Sequence, residues 1–189
     1  MKYYKVMYDY ENDKNAICCK SDNLFGISRY DLEKGKLLDA WDERIVFNYN
    51  VKEGHIPTDY LGNNLGWLIV SATFKNMLES TGIQGVQYFP IRIVNESTGI
   101  ELHDYFVANV HTLVDALDLK HSKYDEFELD DGEKVMSIEF HALKKETIKG
   151  NHIFRLKGDN IPLFVSEVVK DSVKRHGITG FDFLEVKTV

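Results

Sequence analysis

The sequence predicts an α+β protein, mainly β-strands and hairpins, with two strand–helix–strand units related by an internal repeat. Three observations carry this expectation. Aromatic and β-branched residues gather in short runs such as Tyr3-Tyr4-Lys5-Val6-Met7-Tyr8, which suit pleated, half-buried strands better than helices. Glycine- and Asn/Asp-rich turns punctuate those runs. Leu68-Ile69-Val70-Ser71 returns 95 residues later as Leu163-Phe164-Val165-Ser166, and the match continues without a gap.

The repeat runs from Leu68 to Phe89 and from Leu163 to Leu184, and seven of its twenty-two positions are identical. Ser71 and Ser166 stand where an N-cap hydroxyl accepts from orphan amides of the first helical turn. Thr73, Phe74, Met77 and Leu78 match Val168, Val169, Ser172 and Val173, one face at helical spacing. Gly82 and Gly177 fall where a left-handed residue ends a helix, with Ile83 and Ile178 folding back on the last turn. Strands follow from Val86 to Ile93 and from Phe181 to Val186.

The remaining elements are read from the same signals. Lys2 to Tyr8 and Arg44 to Asn48 are strands. Leu32 to Trp41 is undecided, with Gly35 against a long helix, and a loop holding Gly54, Pro57, Gly62 and Gly66 follows. Val86 to Val94 and Ile100 to Val110 flank a five-residue turn, Asn95-Glu96-Ser97-Thr98-Gly99, with Pro90 marking an edge or a bulge. Val114 to Leu119 reads as a short helical turn. Tyr124 to Leu129 and Lys134 to Phe140 form a second hairpin around Asp130-Asp131-Gly132, and Asn151 to Lys157 is a further strand.

At 189 residues the chain is expected to form one domain over 1–189, with a division into two repeat-containing subdomains left open. The longest apolar run, Trp67-Leu68-Ile69-Val70, is too short for a bilayer, and the N-terminus lacks a secretory pattern, so a cytoplasmic place is expected. Cys18 and Cys19 are adjacent, point to opposite faces of a strand, and read as buried free thiols. A net charge of −7 disfavours nucleic acid as a partner and favours encounter with a basic one.

Catalytic signatures are missing from the sequence. It has no phosphate loop, nucleophile elbow, His-Glu-x-x-His pair or Cys-x-x-Cys ribbon, so no catalytic residue, metal or cofactor is expected. The seven histidines are scattered. Acids instead crowd the second hairpin, where Asp125, Glu126, Phe127, Glu128, Asp130, Asp131 and Glu133 form the candidate partner-binding patch. There the acids speed encounter and the aromatic anchors, with alternation around Phe127 and Leu129 turning acids to solvent. Asp39-Ala40-Trp41-Asp42-Glu43 is a second acidic-aromatic stretch whose Trp reads as structural. Arg155 reads as exposed or paired with a carboxylate, with an anion contact left open.

These segments, in their order, resemble a family of bacterial immunity proteins from polymorphic-toxin systems, the eleventh-numbered immunity family. The matching stretches include Pro57-Thr58-Asp59-Tyr60, Leu68-Ile69-Val70-Ser71, Gln87-Tyr88-Phe89-Pro90-Ile91, Tyr105-Phe106-Val107-Ala108-Asn109-Val110, Ile153-Phe154-Arg155-Leu156, Phe164-Val165-Ser166 and Thr179-Gly180-Phe181. The resemblance implies a mainly β stoichiometric inhibitor, not an enzyme, that binds a cognate protein toxin such as a nuclease. Two other classes stay open from sequence: an enzyme with a His/carboxylate cleft, and a small-ligand sensor at the junction of the repeat units.

Overall fold

A computed structural model describes residues 1–189 apart from positions 12, 13, 130, 131 and 133. Its strands are β1 (Tyr3–Tyr8), β2 (Cys18–Cys19), β3 (Val46–Tyr49), β4 (Tyr60–Asn63), β5 (Ile69–Ser71), β6 (Val86–Pro90), β7 (Arg92–Asn95), β8 (Glu101–Leu102) and β9 (Tyr105–Val110). After these come β10 (Leu113–Val114), β11 (Lys123–Glu128), β12 (Lys134–Phe140), β13 (Ala142–Leu143), β14 (Ile153–Leu156), β15 (Asp159–Ser166) and β16 (Phe181–Thr188). The helices are α1 (Ala72–Ser80), α2 (Lys145–Ile148) and α3 (Glu167–Arg175). The mainly β, α+β class is therefore as the sequence predicts.

One sheet has the order β10-β14-β15-β1-β16-β13, and another the order β2-β4-β5-β9-β6. β3, β7 and β8 form a third sheet, and among the described residues β11 and β12 make a two-stranded sheet. In both large sheets a helix joins two strands that are separated by a third. α1 runs from β5 to β6 with β9 between them, and α3 runs from β15 to β16 with β1 between them.

The helices start and stop largely where the sequence places them. Ser71 Oγ accepts from Phe74 N at 3.2 Å, the side-chain cap of α1. Ser166 occupies the same position before α3 but makes no cap bond; its hydroxyl lies 2.8 Å from His152 Nδ1. Gly177 has φ +62°, and beyond it Ile178 N donates to Val173 O at 3.1 Å, the longer bond of a Schellman ending. Gly82, at φ +73°, ends α1 with a bond from its amide to Glu79 O at 3.0 Å.

Three buried clusters fill the interior. The central one joins Phe74, Met77 and Leu78 of α1 to Val169 and Val173 of α3, with Tyr4, Val70, Val110 and Val165 from the sheets. The outer face of the β5-β9 sheet buries Trp67, Phe47, Ile69, Ile93 and Val107. The outer face of the β15-β1 sheet buries Tyr3, Phe154, Phe164, Leu143 and Val186. Alternation along β1, β5, β9 and β15 sends neighbouring residues to different clusters, as a sheet covered on both faces requires.

Several sequence expectations are corrected. Val114 to Leu119 is not helical: β10 pairs with β14, and Leu117 bridges Leu143. The long strand from Val86 breaks at Ile91, so β6 joins β9 while β7 joins β3 and β8. Pro90, which has no amide to donate, ends β6 opposite Phe106. Within 32–41 only a 3-10 turn, Asp31–Glu33, is regular.

Candidate partner-binding surface

The β11–β12 ribbon stands apart from the sheets that cover the cores. Its register sets Tyr124 opposite Ile138, Asp125 opposite Ser137, Glu126 opposite Met136 and Phe127 opposite Val135. A register shift at Lys123/Tyr124 marks its base. Ile138 is the ribbon residue that reaches a buried cluster, packing from the edge against the outer core of the β15-β1 sheet. A two-stranded ribbon has little stability of its own in water, so this base contact and the pairing hold it.

None of the described side chains of the ribbon is buried. Asp125, Glu126 and Glu128 are exposed, and so are the apolar Phe127 (53%), Leu129, Met136 and Phe140 (57%). The alternation expected from sequence therefore separates no inner face from an outer one. Asp125 shares a face with Phe127 and Val135, whereas Glu126 shares the other with Tyr124, Met136 and Ile138. Both faces thus combine acid with apolar surface. Asp130, Asp131 and Glu133, also candidates from sequence, lie outside the described residues.

At the ribbon base Lys123 pairs with Glu139 and lies 5.7 Å from the Phe140 ring centroid. The bond to Glu139 holds the Lys123 ammonium above its ordinary range. This cation is held by Glu139, with a weaker charge contact from Asp125, and no salt bridge of Glu126 or Glu128 is found among the described residues. The arrangement offers negative charge around exposed aromatic anchors, a surface suited to a basic protein partner.

The profile of the Immunity protein family (Imm11) matches residues 2–188. The chain belongs to the Imm11 immunity protein family. Comparison with curated proteins finds no match. The matched span takes in both large sheets, both long helices and the ribbon.

Elsewhere in this Imm11 protein, polar groups that sequence left open have definite places. His141 is buried, and its Nε2 lies 2.7 Å from Asp159 Oδ2. His152 is held by Ser166, and no group of three or more His, Cys, Asp or Glu among the described residues could hold a metal ion. Arg155 is neither exposed nor ion-paired among the described residues. It is 5% exposed, and its Nη1 donates to the carbonyls of Asn160, at 2.9 Å, and Ile161, at 2.5 Å. Burial pushes its guanidinium below the usual range while Glu33 holds it up.

Trp41 stacks on Phe89 at 4.8 Å and 10°, the structural role expected of it. The two thiols are free, as expected, but Cys18 is exposed and only Cys19 is buried. A cleft of about 490 Å³ lies between the α1 and α3 regions, bordered by Gln84, Thr112, Asn151 and His152. Its border is mostly polar, with Ile83, Ile153 and Val168 also lining it, unlike the apolar pocket expected of a small-ligand sensor at that junction.

Proposed function

We propose that this protein binds and neutralises a cognate bacterial toxin by stoichiometric protein–protein interaction, and that the β11–β12 ribbon is its docking face. Membership of the Imm11 family over the whole chain carries the first half of this reading. The exposure of Phe127 and Phe140 among Asp125, Glu126 and Glu128 supports the second. Acids around an apolar anchor raise the encounter rate with a basic surface, and the anchor then slows dissociation. Neutralisation needs no chemistry from the inhibitor, only occlusion of the toxin's active site or of a surface beside it. A toxin nuclease, whose nucleic-acid site is basic, fits that charge pattern.

The experiment is co-expression with the toxin encoded beside it, followed by affinity capture. Growth rescue with a retained one-to-one complex supports the reading. Rescue without a complex, or no rescue, overturns it.

We further infer that the segments from Leu68 to Phe89 and from Leu163 to Leu184 are copies of one ancestral unit. Identical residues in register, equivalent serines before two nine-residue helices, and glycine stops after both support this.

A further inference from the structure

The likeness between the two halves extends beyond the segments that resemble each other in sequence, and it reveals an unexpected chain path. β9 lies between β5 and β6 with Ser71 opposite Tyr105, Pro90 opposite Phe106 and Val86 opposite Val110. β1 lies between β15 and β16 with Ser166 opposite Tyr3, Glu185 opposite Tyr4 and Phe181 opposite Tyr8. Each residue of β5 or β6 is thus matched 95 positions later, and each residue of β1 is matched in β9 102 positions later.

Hydrogen bonds outside the ladders obey the same correspondence. The first amide of α1, Ala72 N, donates to Asp104 O at 2.7 Å, and that of α3, Glu167 N, donates to Lys2 O at 2.9 Å. His111 N donates to Gly85 O at 2.9 Å, and Asp9 N to Gly180 O at 3.1 Å. Tyr105 and Tyr3 are both buried, and each phenol donates to a backbone carbonyl at 2.9 Å, although the acceptors, Thr58 and Ile148, are not at equivalent positions. The sheet edges agree too: Cys18 lies opposite Gly62 in a parallel pair, and Leu113 opposite Arg155 in another.

Read in chain order, both units then run strand, edge strand, outer strand, strand, strand, helix, strand. With β8, the β11–β12 ribbon and α2 set aside as additions without a counterpart, the first is β1-β2-β3-β4-β5-α1-β6/β7 and the second is β9-β10-β13-β14-β15-α3-β16. The leading strand of each lies in the other's sheet. We propose that the protein is an intrachain strand-exchanged duplication, in which each unit supplies an interior strand of its neighbour's sheet and neither unit is complete alone.

The physical consequence is mechanical coupling. An interior strand is hydrogen-bonded on both sides, so its removal opens the middle of a sheet instead of trimming an edge. β1 also presents Tyr4 to the central cluster and Tyr3 to the outer cluster of the second unit. Exchange therefore ties both units into one cooperative body. It also requires the first strand of the chain to wait for β15 and β16, a contact order that slows folding.

Native-state hydrogen exchange on the full-length protein tests the proposal. Phe164→Leu in the second unit and Ile69→Val in the first are mild substitutions at fully buried sites. Each is expected to lower the protection of the slowest amides in both large sheets by one common factor, up to about tenfold. The reporters are Val107 N of β9 and Val165 N of β15, which are distant from one another in sequence. A fall confined to the substituted unit, for either variant, would show independent units and overturn the proposal. A single, coincident unfolding transition by fluorescence and circular dichroism is the second expected result, and two resolved transitions would also overturn it.

Discussion

Ser166 Oγ lies 2.8 Å from His152 Nδ1, whereas Ser71 Oγ lies 2.5 Å from Asp59 Oδ1 and also receives the Phe74 amide. Two serines at equivalent positions thus do different work. Ser71→Ala removes a cap and strips Asp59 of a donor, so unfolding free energy in urea should fall by about 1–2 kcal/mol. Ser166→Ala removes no cap, and its cost should arise from the pairing with His152. A double-mutant cycle of Ser166→Ala with His152→Ala should show a non-zero interaction energy. Additive effects would show that Ser166 acts on the helix alone.

Gly177 and Gly180 both have positive φ, +62° and +82°, but their surroundings differ. A Cβ at Gly177 meets no heavy atom within 4 Å, so Gly177→Ala should cost about 1 kcal/mol, from backbone conformation alone. A Cβ at Gly180 would lie 2.4 Å from the Tyr60 carbonyl oxygen, which backbone pairing holds in place. Gly180→Ala should therefore be clearly the more destabilising, and Gly177→Val worse than Gly177→Ala because β-branching resists left-handed geometry. Melting temperatures of the three variants check the order. Equal losses for the two alanine variants would refute it.

The contrast also shows what sequence could reveal. Helix stops at Gly82 and Gly177, the two hairpins and most of each helix face were legible because each is decided within a few residues, although Thr73 and Val168, expected on those faces, are exposed. The placement of β1 was not, because its partners lie more than 150 residues away and any alternating strand looks suited to many neighbours. Val114 to Leu119 misled because Val114, Ala116 and Leu117 suit a helix face as well as a short buried strand, and pairing with β14 decided it. Arg155 departs from the expectation because a charge in an apolar run normally signals exposure, while here two carbonyls near the start of β15, of Asn160 and Ile161, receive it. The ribbon was located by its acids, but the exposure of Phe127 and Phe140 required the structure.

Burial raises the Cys19 thiol from 9.0 to about 12, and raises the Tyr60 and Tyr105 phenols from 10.0 to about 12. All three are neutral acids whose folded values exceed the unfolded ones. Their contribution to stability is complete below the unfolded values and is lost as pH rises through the folded ones. Stability should therefore begin to fall above about pH 9 and continue falling towards pH 12. Equilibrium urea unfolding across that range checks this, and a flat profile would refute it. The same burial predicts that a maleimide modifies only Cys18 in the native protein and both thiols in denaturant, read as mass adducts.

The ribbon assignment makes a prediction in which rate and lifetime separate. Asp125, Glu126 and Glu128 are exposed, so replacing all three by lysine should leave the melting temperature almost unchanged. Association with a basic toxin should slow by about tenfold or more at low salt, and the difference should shrink as added salt screens the charges. Phe127→Ala and Phe140→Ala should instead speed dissociation, since an exposed aromatic contributes by being buried in the complex. Stopped-flow association and surface-immobilised dissociation measure the two effects independently. Unchanged association in the charge-reversed protein would move the docking face away from β11 and β12 while leaving the immunity function untouched, because membership of the Imm11 family stands on the whole chain.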